Sequence, residues 1–168
     1  RPTPGINRGY IPGFLRADGS LIEANSNCGP VVFRGDNLPS ELVGDVFIPE
    51  PAGNLIRRQK VIRDQLQATS RNAYAEREFL ASTDERFRPV NMYNAPDGTL
   101  YIVDMYRGVI QHGAFITSYL REQILDRRLD QGIHLGRIWR VVHTTSQKRP
   151  HIDISQWSSE TLVETLSH

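Results

Sequence analysis

The sequence contains a single cysteine, Cys28, among its 168 residues. One cysteine excludes an internal disulfide, a multi-cysteine metal site and a C-x-x-C-H haem attachment motif within the chain. Basic and acidic side chains also balance, with 20 Lys and Arg against 19 Asp and Glu. Because nucleic acids and anionic membrane surfaces attract concentrated basic residues, the sequence predicts neither as a partner. No apolar run approaches the roughly 18 residues that cross a bilayer, so no transmembrane segment is predicted.

Both ends of the sequence predict that the chain is a fragment of a longer protein. The first residues, Arg1 to Gly5, are polar and proline-containing, which fits a loop and not a signal peptide. The last residues, from Ser158 to Leu166, have the capped start of a helix that is cut off at His168. A helix of roughly two or three turns is marginal by itself, so further sequence is expected to follow it.

Short β-branched and aromatic runs alternate with turn residues through most of the chain. They predict strands at residues 31–34, 46–49, 55–62, 89–94 and 100–104, a short one near residues 14–15, and a further one at Val109–Ile110. Gly53–Asn54 and Pro96–Gly98 have the composition of hairpin turns. Because helices do not alternate with these strands, the pattern indicates a sandwich, a barrel or a propeller. Residues 31–64 and 87–112 look like two versions of one up-and-down unit.

One helix is predicted within the β region. Apolar residues recur at helical spacing from Phe115 to Leu129, with Thr117 or Ser118 as the cap and Gly132 beyond the end. Residues 137–142 then alternate as a last strand. The aromatic side chains of the predicted strands are expected in the core: Phe47, Phe87, Tyr93, Tyr101 and Trp139. The sequence therefore predicts a mainly β chain with one inserted helix and a short C-terminal helix.

Two segments resemble a known family. Residues 84–90, followed by residues 94–104 (N-A-P-D-G-T-L-Y-I-V-D), resemble the last-blade motif of the soluble quinoprotein sugar dehydrogenases, which include glucose- and sorbosone-dehydrogenase-like propellers. Residues 33–51 resemble the preceding blade. The similarity is closer still to the large multidomain relatives termed membrane-bound dehydrogenases, on the basis of residues 44–55 and 136–142. In those proteins a propeller is followed by HEAT-type helical repeats and often by a cytochrome c module.

The resemblance implies a domain organisation and an activity. Residues 1–143 would be the C-terminal part of a six-bladed β-propeller, about two antiparallel blades with a helical insertion at about residues 115–130. Residues 144–168 would be a linker and the start of a HEAT-like helical domain. The parent protein would oxidise a carbohydrate or alcohol by hydride transfer to pyrroloquinoline quinone and pass electrons to an acceptor such as cytochrome c. Calcium and haem c are implied elsewhere in the parent, and a periplasmic or secreted location is implied by the family alone.

Arg86 and Arg88 are the leading candidates for cofactor binding. In the resembled family an Arg-x-Arg motif contacts the quinone, whose carboxylates suit planar guanidinium groups. Because Arg86 and Arg88 are two positions apart, their side chains would share one face if the segment is a strand. The alternative is a pair of structural arginines in salt bridges with Asp84, Glu85 or Asp104. The family's cofactor-facing lysine corresponds to a position near Ala52, and its Trp and Thr contacts correspond to residues 24–28.

Four further residues are candidates for the site. Glu50, in a rigid Pro-Glu-Pro loop, and Asp104, at the end of a strand, are predicted ligand contacts, although an aspartate in that position more often caps a turn. His112 is a candidate catalytic base, with a structural histidine as the alternative. Cys28 is interpreted as a buried thiol or as part of the cleft. The histidines have no metal-ligand spacing, so no metal site is predicted.

A second hypothesis competes with the dehydrogenase. A propeller whose top face binds a carbohydrate or a protein partner without catalysis fits the same fold, because fold alone does not determine function. The isolated fragment is predicted to be inactive, and its unpaired blade edges would favour aggregation.

Overall fold

Two antiparallel sheets contain most of the strands that the sequence predicts. A computed structural model describes residues 6–149 and 153–165 of the chain. The first sheet contains β1 (Val31–Val32), β2 (Val46–Glu50), β3 (Leu55–Asp64), β4 (Gln67–Asn72) and β5 (Leu80–Ala81). Strands β1 to β4 follow one another as an antiparallel meander, and β5 also pairs with β3. The predicted hairpin turn between β2 and β3 is confirmed, with Asn54 in the left-handed region at φ 56°.

The second sheet is a meander of three strands. It contains β6 (Pro89–Asn94), β7 (Leu100–Asp104) and β8 (Arg137–Val141), in that order. At the predicted turn between β6 and β7, Gly98 has φ 77°, and the Thr99 N–H donates to Asp97 Oδ1 at 3.0 Å. Among the described residues, neither sheet closes on itself into a barrel, and the chain is mainly β.

The core lies where the two sheets meet. Strands β1 and β2 pack against β6, and Phe33 meets Phe47 edge-on with ring centroids 6.3 Å apart. The buried apolar side chains of this cluster are Phe33, Leu38, Leu42, Phe47, Ile56, Phe87, Met92, Leu100 and Ile102. The prediction that Tyr93 and Trp139 are core residues is wrong, since they are 54% and 45% exposed. Trp139 lies on β8, whose three middle residues, 138–140, are exposed on both faces of the strand.

The inserted helix, α1 (Ser118–Arg127), begins where the sequence predicts. Thr117 is its cap, and the Thr117 hydroxyl oxygen accepts a hydrogen bond from the Leu120 N–H at 3.2 Å. Leu120 and Ile124 are buried in a small second cluster with Leu129. At the C-terminal end of α1 a side chain on Gly108 would overlap the Leu129 carbonyl oxygen, so only glycine allows this close approach.

The structure differs from the sequence predictions at two places. Val109 and Ile110 form no strand, because Val109 packs against the α1 cluster and does not extend the second sheet. Strands β4 and β5 were not predicted. Every position of β4 is exposed, and Ala68 is its one apolar residue, so the strand has no alternating pattern. The short C-terminal helix, α2 (Ser159–Thr165), is present. The predicted loop at residues 1–5 and the predicted helix end at residues 166–168 lie outside the described residues.

Candidate functional site

A cavity of about 600 Å³ lies where loops from both sheets meet α1 and the N-terminal segment. We call it the first cavity. Residues of four chain segments line it together with Ala52 and Arg88, and those segments are residues 6–14, 25–26, 108–111 and 115–120. The loops that follow β2 and β7 and the segment that precedes β6 all reach this space. The residues that the sequence analysis compares with cofactor contacts, near positions 24–28, 52 and 88, are therefore brought together here.

Arg88 is buried beside the first cavity and joins loops of the two sheets. Arg88 is 5% exposed, and its guanidinium group donates to three backbone carbonyls. Nη1 donates to Pro51 at 2.7 Å, Nη2 to Gly108 at 2.9 Å and Nε to Arg107 at 2.9 Å. Pro51 follows β2, whereas Arg107 and Gly108 follow β7. Arg88 therefore holds the walls of the cavity in position through its side chain.

Arg86 has a different environment, so the predicted arrangement of the pair is wrong. Residues 85–86 form a turn and β6 begins only at Pro89, which means that strand periodicity does not apply to this segment. The Arg86 guanidinium donates to the carbonyl of Arg128 at 2.7 Å and to that of Gln131 at 3.4 Å, just past the end of α1. The two guanidinium groups therefore bind different elements. The Arg86 guanidinium stabilises the C-terminal end of α1, where a positive charge is favourable.

Asp104 is buried at the end of β7, and both of its carboxylate oxygens have internal donors. Oδ1 accepts hydrogen bonds from the N–H groups of Arg88 at 2.8 Å and Tyr106 at 2.9 Å, and Oδ2 accepts one from Trp139 Nε1 at 3.0 Å. The Tyr106 bond is the turn cap that the sequence analysis gives as the alternative to a ligand contact. Asp104 therefore connects all three strands of the second sheet at one end.

Glu50 is the last residue of β2 and is 1% exposed. Its Oε2 accepts hydrogen bonds from the N–H groups of Ser26 at 2.8 Å and Asn25 at 3.2 Å, whereas Oε1 meets no donor among the described residues. Glu50 lines a second cavity of about 540 Å³. The predicted ligand contact is thus a buried carboxylate with one unsatisfied oxygen.

His112 and Cys28 are less suited to catalysis. His112 is exposed, and its Nδ1 accepts a hydrogen bond from the Ala114 N–H at 3.3 Å in a short 3-10 turn; it lines a third cavity, of about 500 Å³, with His134. Cys28 is half-buried, and burial together with the charge of Glu50 raises the pKa of its thiol, which disfavours the nucleophilic thiolate. No cluster of three metal-ligand side chains occurs among the described residues.

The contribution of the N-terminal segment to the first cavity was not predicted from the sequence. The Asn7 side-chain amide donates to the Phe115 carbonyl at 2.8 Å, and its oxygen accepts a hydrogen bond from the Thr117 N–H at 3.1 Å. These bonds hold residues 6–14 against the start of α1. The glycine- and proline-rich composition of this segment indicates a loop but carries no signal for its distant partner.

Comparison with known proteins identifies a domain family. A family model described as "Domain of unknown function (DUF7133)" matches residues 10–145, which include both sheets and α1. No curated protein matches the chain, and no solved structure matches it. No helix among the described residues is long and apolar enough to span a bilayer. Because the family match covers well over half of the sequence, the chain belongs to the DUF7133 domain family.

Proposed function

We propose that this chain supplies about two blades at the end of a six-bladed β-propeller, and that the first cavity is where the propeller face binds a small carbohydrate or alcohol. The order of the strands supports the blades, since β1 to β4 and β6 to β8 are meanders of sequential antiparallel strands. The packing of β1 and β2 against β6 supports them further, because neighbouring blades of a propeller pack face to face.

The chemistry of the cavity walls carries the ligand proposal. Amide side chains at Asn7, Asn25 and Gln111 lie near the aromatic rings of Tyr10 and Phe115 around one space. Amides donate and accept hydrogen bonds with hydroxyl groups, and aromatic faces cover the apolar C–H surface of a sugar ring. Pockets of this size with a few polar groups among apolar ones are typical small-molecule sites.

Quinone-dependent oxidation is the second candidate, and the position of Arg88 in the cavity wall favours it. The described residues do not fit the cofactor in the way that the resemblance implies, however. Arg88 donates three N–H groups to backbone carbonyls, Arg86 binds the end of α1, and Ala52 has no charge. The dehydrogenase activity, the cytochrome c acceptor and the exported location therefore rest on the sequence resemblance, and a protein ligand remains the non-catalytic alternative.

Titration with sugars tests the proposed binding of a carbohydrate in the first cavity. We expect an aldohexose or its sugar alcohol to cause saturable shifts in the amide NMR signals of Asn25 and Gln111. Replacing Gln111 with alanine should weaken binding about tenfold, because a hydrogen-bonding side chain of the cavity is lost. Gln67→Ala, on the exposed strand β4, is the matched control and should leave the affinity unchanged. Equal affinity of the Gln111 and Gln67 variants, or shifts that do not saturate, would contradict the proposal.

Adding pyrroloquinoline quinone with calcium to the full-length parent protein separates the two candidates, because the isolated fragment is predicted to be inactive under either. Because the guanidinium groups already have backbone partners, we expect no sugar-dependent reduction of an electron-accepting dye. Dye reduction that requires the cofactor and is lost in Arg86→Ala would establish the dehydrogenase instead. Arg86→Ala suits this comparison because the half-buried Arg86 side chain contributes to the end of α1 and does not line the first cavity. The variant therefore leaves the walls of the proposed sugar site unchanged.

A further inference from the structure

The second cavity differs from the first in the charge of its walls. It is lined by the hairpin at residues 16–24, by Glu50, Gly53, Leu55 and Arg57, and by residues 72–78 before β5. Four of the lining residues are glutamates and three are arginines, and the glutamates are Glu23, Glu50, Glu76 and Glu78. The balance of formal charge is therefore negative.

Each of the three arginines has a partner of its own. Arg57 donates to Glu78 through Nη2 at 2.6 Å and Nε at 3.1 Å. Arg16 donates to the carbonyls of Leu21 and Ile22, and the Arg77 guanidinium lies 5.0 Å from the centre of the Tyr74 ring. The bond to Glu78 raises the pKa of Arg57, and the nearby charge of Glu50 adds to the shift. Arg57 is thus close to Glu50 but is already paired with another carboxylate.

One carboxylate oxygen of Glu50, in the wall of this cavity, has no hydrogen-bond donor among the described residues. Its side chain is almost fully buried, and Oε1 has no partner among the described residues, although Oε2 has two. A buried carboxylate oxygen without a donor is costly, and a charged donor compensates it better than a neutral one. Gly53 keeps the space beside it open, since a Cβ at that position would lie 3.2 Å from Glu50 Cγ.

We propose that the second cavity binds the ammonium or guanidinium group of a small cationic molecule, with Glu50 as the acceptor. The net negative wall attracts a cation, and the paired arginines do not compete for Glu50. The proposal does not depend on the ligand of the first cavity, because the two cavities share no lining residue.

The test compares methylguanidinium with its neutral analogue methylurea at constant ionic strength. The backbone amides of Asn25 and Ser26 report on Glu50, because they donate to it. Both residues also line the first cavity, so the Gln111 amide signal should stay unchanged when the ligand binds at Glu50. We expect saturable shifts of these amide signals with methylguanidinium and at least about tenfold weaker binding of methylurea. Glu50→Gln, which keeps the acceptor for the two amides, should weaken methylguanidinium binding about tenfold, and Glu160→Gln on α2 should not change it.

Gly53→Ala provides a second variant that leaves every charge in place. It should also weaken methylguanidinium binding, by crowding Glu50. Equal affinity for the two probes, wild-type affinity in both Glu50→Gln and Gly53→Ala, or absence of saturable binding would overturn the proposal. If the glutamine variant does not fold, the probe comparison and the alanine variant decide. Sugar titration followed at Gln111 is a separate measurement, so failure of either site is recognised independently.

Discussion

Replacing Arg88 with alanine should lower the free energy of unfolding by about 3–5 kcal/mol. The change removes three charge-assisted hydrogen bonds at once and leaves the carbonyls of Pro51, Arg107 and Gly108 without these donors. A buried polar group that loses its partner costs about 1–3 kcal/mol, and water entering through the first cavity would reduce that cost. Chemical denaturation followed by circular dichroism measures the difference.

Two variants determine whether geometry or charge is responsible for the effect of Arg88. Arg88→Lys keeps the charge but loses the planar fork that reaches three carbonyls, so it should recover only part of the stability. Arg86→Ala removes an arginine two positions away that binds the end of α1 and should cost about 1 kcal/mol or less. Equal losses in Arg88→Ala and Arg86→Ala would show that bridging between the sheets is not the important contribution.

The sequence predicts strands well where local signals agree. Alternating side chains and the turn ending in Gly98 place β6 and β7 at their observed residues. Thr117 or Ser118 is predicted as the cap of α1, and Thr117 has that role, which depends only on residues within one helical turn. Strand β4 has no comparable signal. Its residues are extended because they pair with β3, where for example Thr69 lies opposite Ile62. Pairing partners are tertiary information, which a period-two pattern does not contain.

The candidate site is harder to predict, because its residues are brought together by loops. The expected shared face of Arg86 and Arg88 requires a strand, and residues 85–86 form a turn instead, so the strand geometry does not apply to this pair. Asp104 is predicted as either a ligand contact or a cap. Its bond from Trp139, 35 residues away, arises only once β8 pairs with β7. Such contacts depend on the fold and leave no spacing in the sequence.

Replacing Asp104 with asparagine should lower the free energy of unfolding by about 2–3 kcal/mol, although the side chain keeps its size. If the amide oxygen faces the N–H groups of Arg88 and Tyr106, the amide nitrogen faces Trp139 Nε1, and two donors then oppose each other. The flipped amide is worse, because its nitrogen would face two backbone donors. Neither orientation satisfies all three donors as the carboxylate does.

A double-mutant cycle with Trp139→Phe isolates this conflict. Phenylalanine removes the opposing N–H, so Asp104→Asn should cost about 1–2 kcal/mol less in that background. Asp18→Asn is the matched control, since Asp18 caps the Ser20 N–H at an exposed turn where asparagine serves equally well, and the unfolding midpoint should hardly move. Additive effects of the two substitutions in the cycle would mean that the Trp139 bond does not contribute to stability. Coupling would instead show that β8 is held to the second sheet by a buried carboxylate as well as by its backbone ladder.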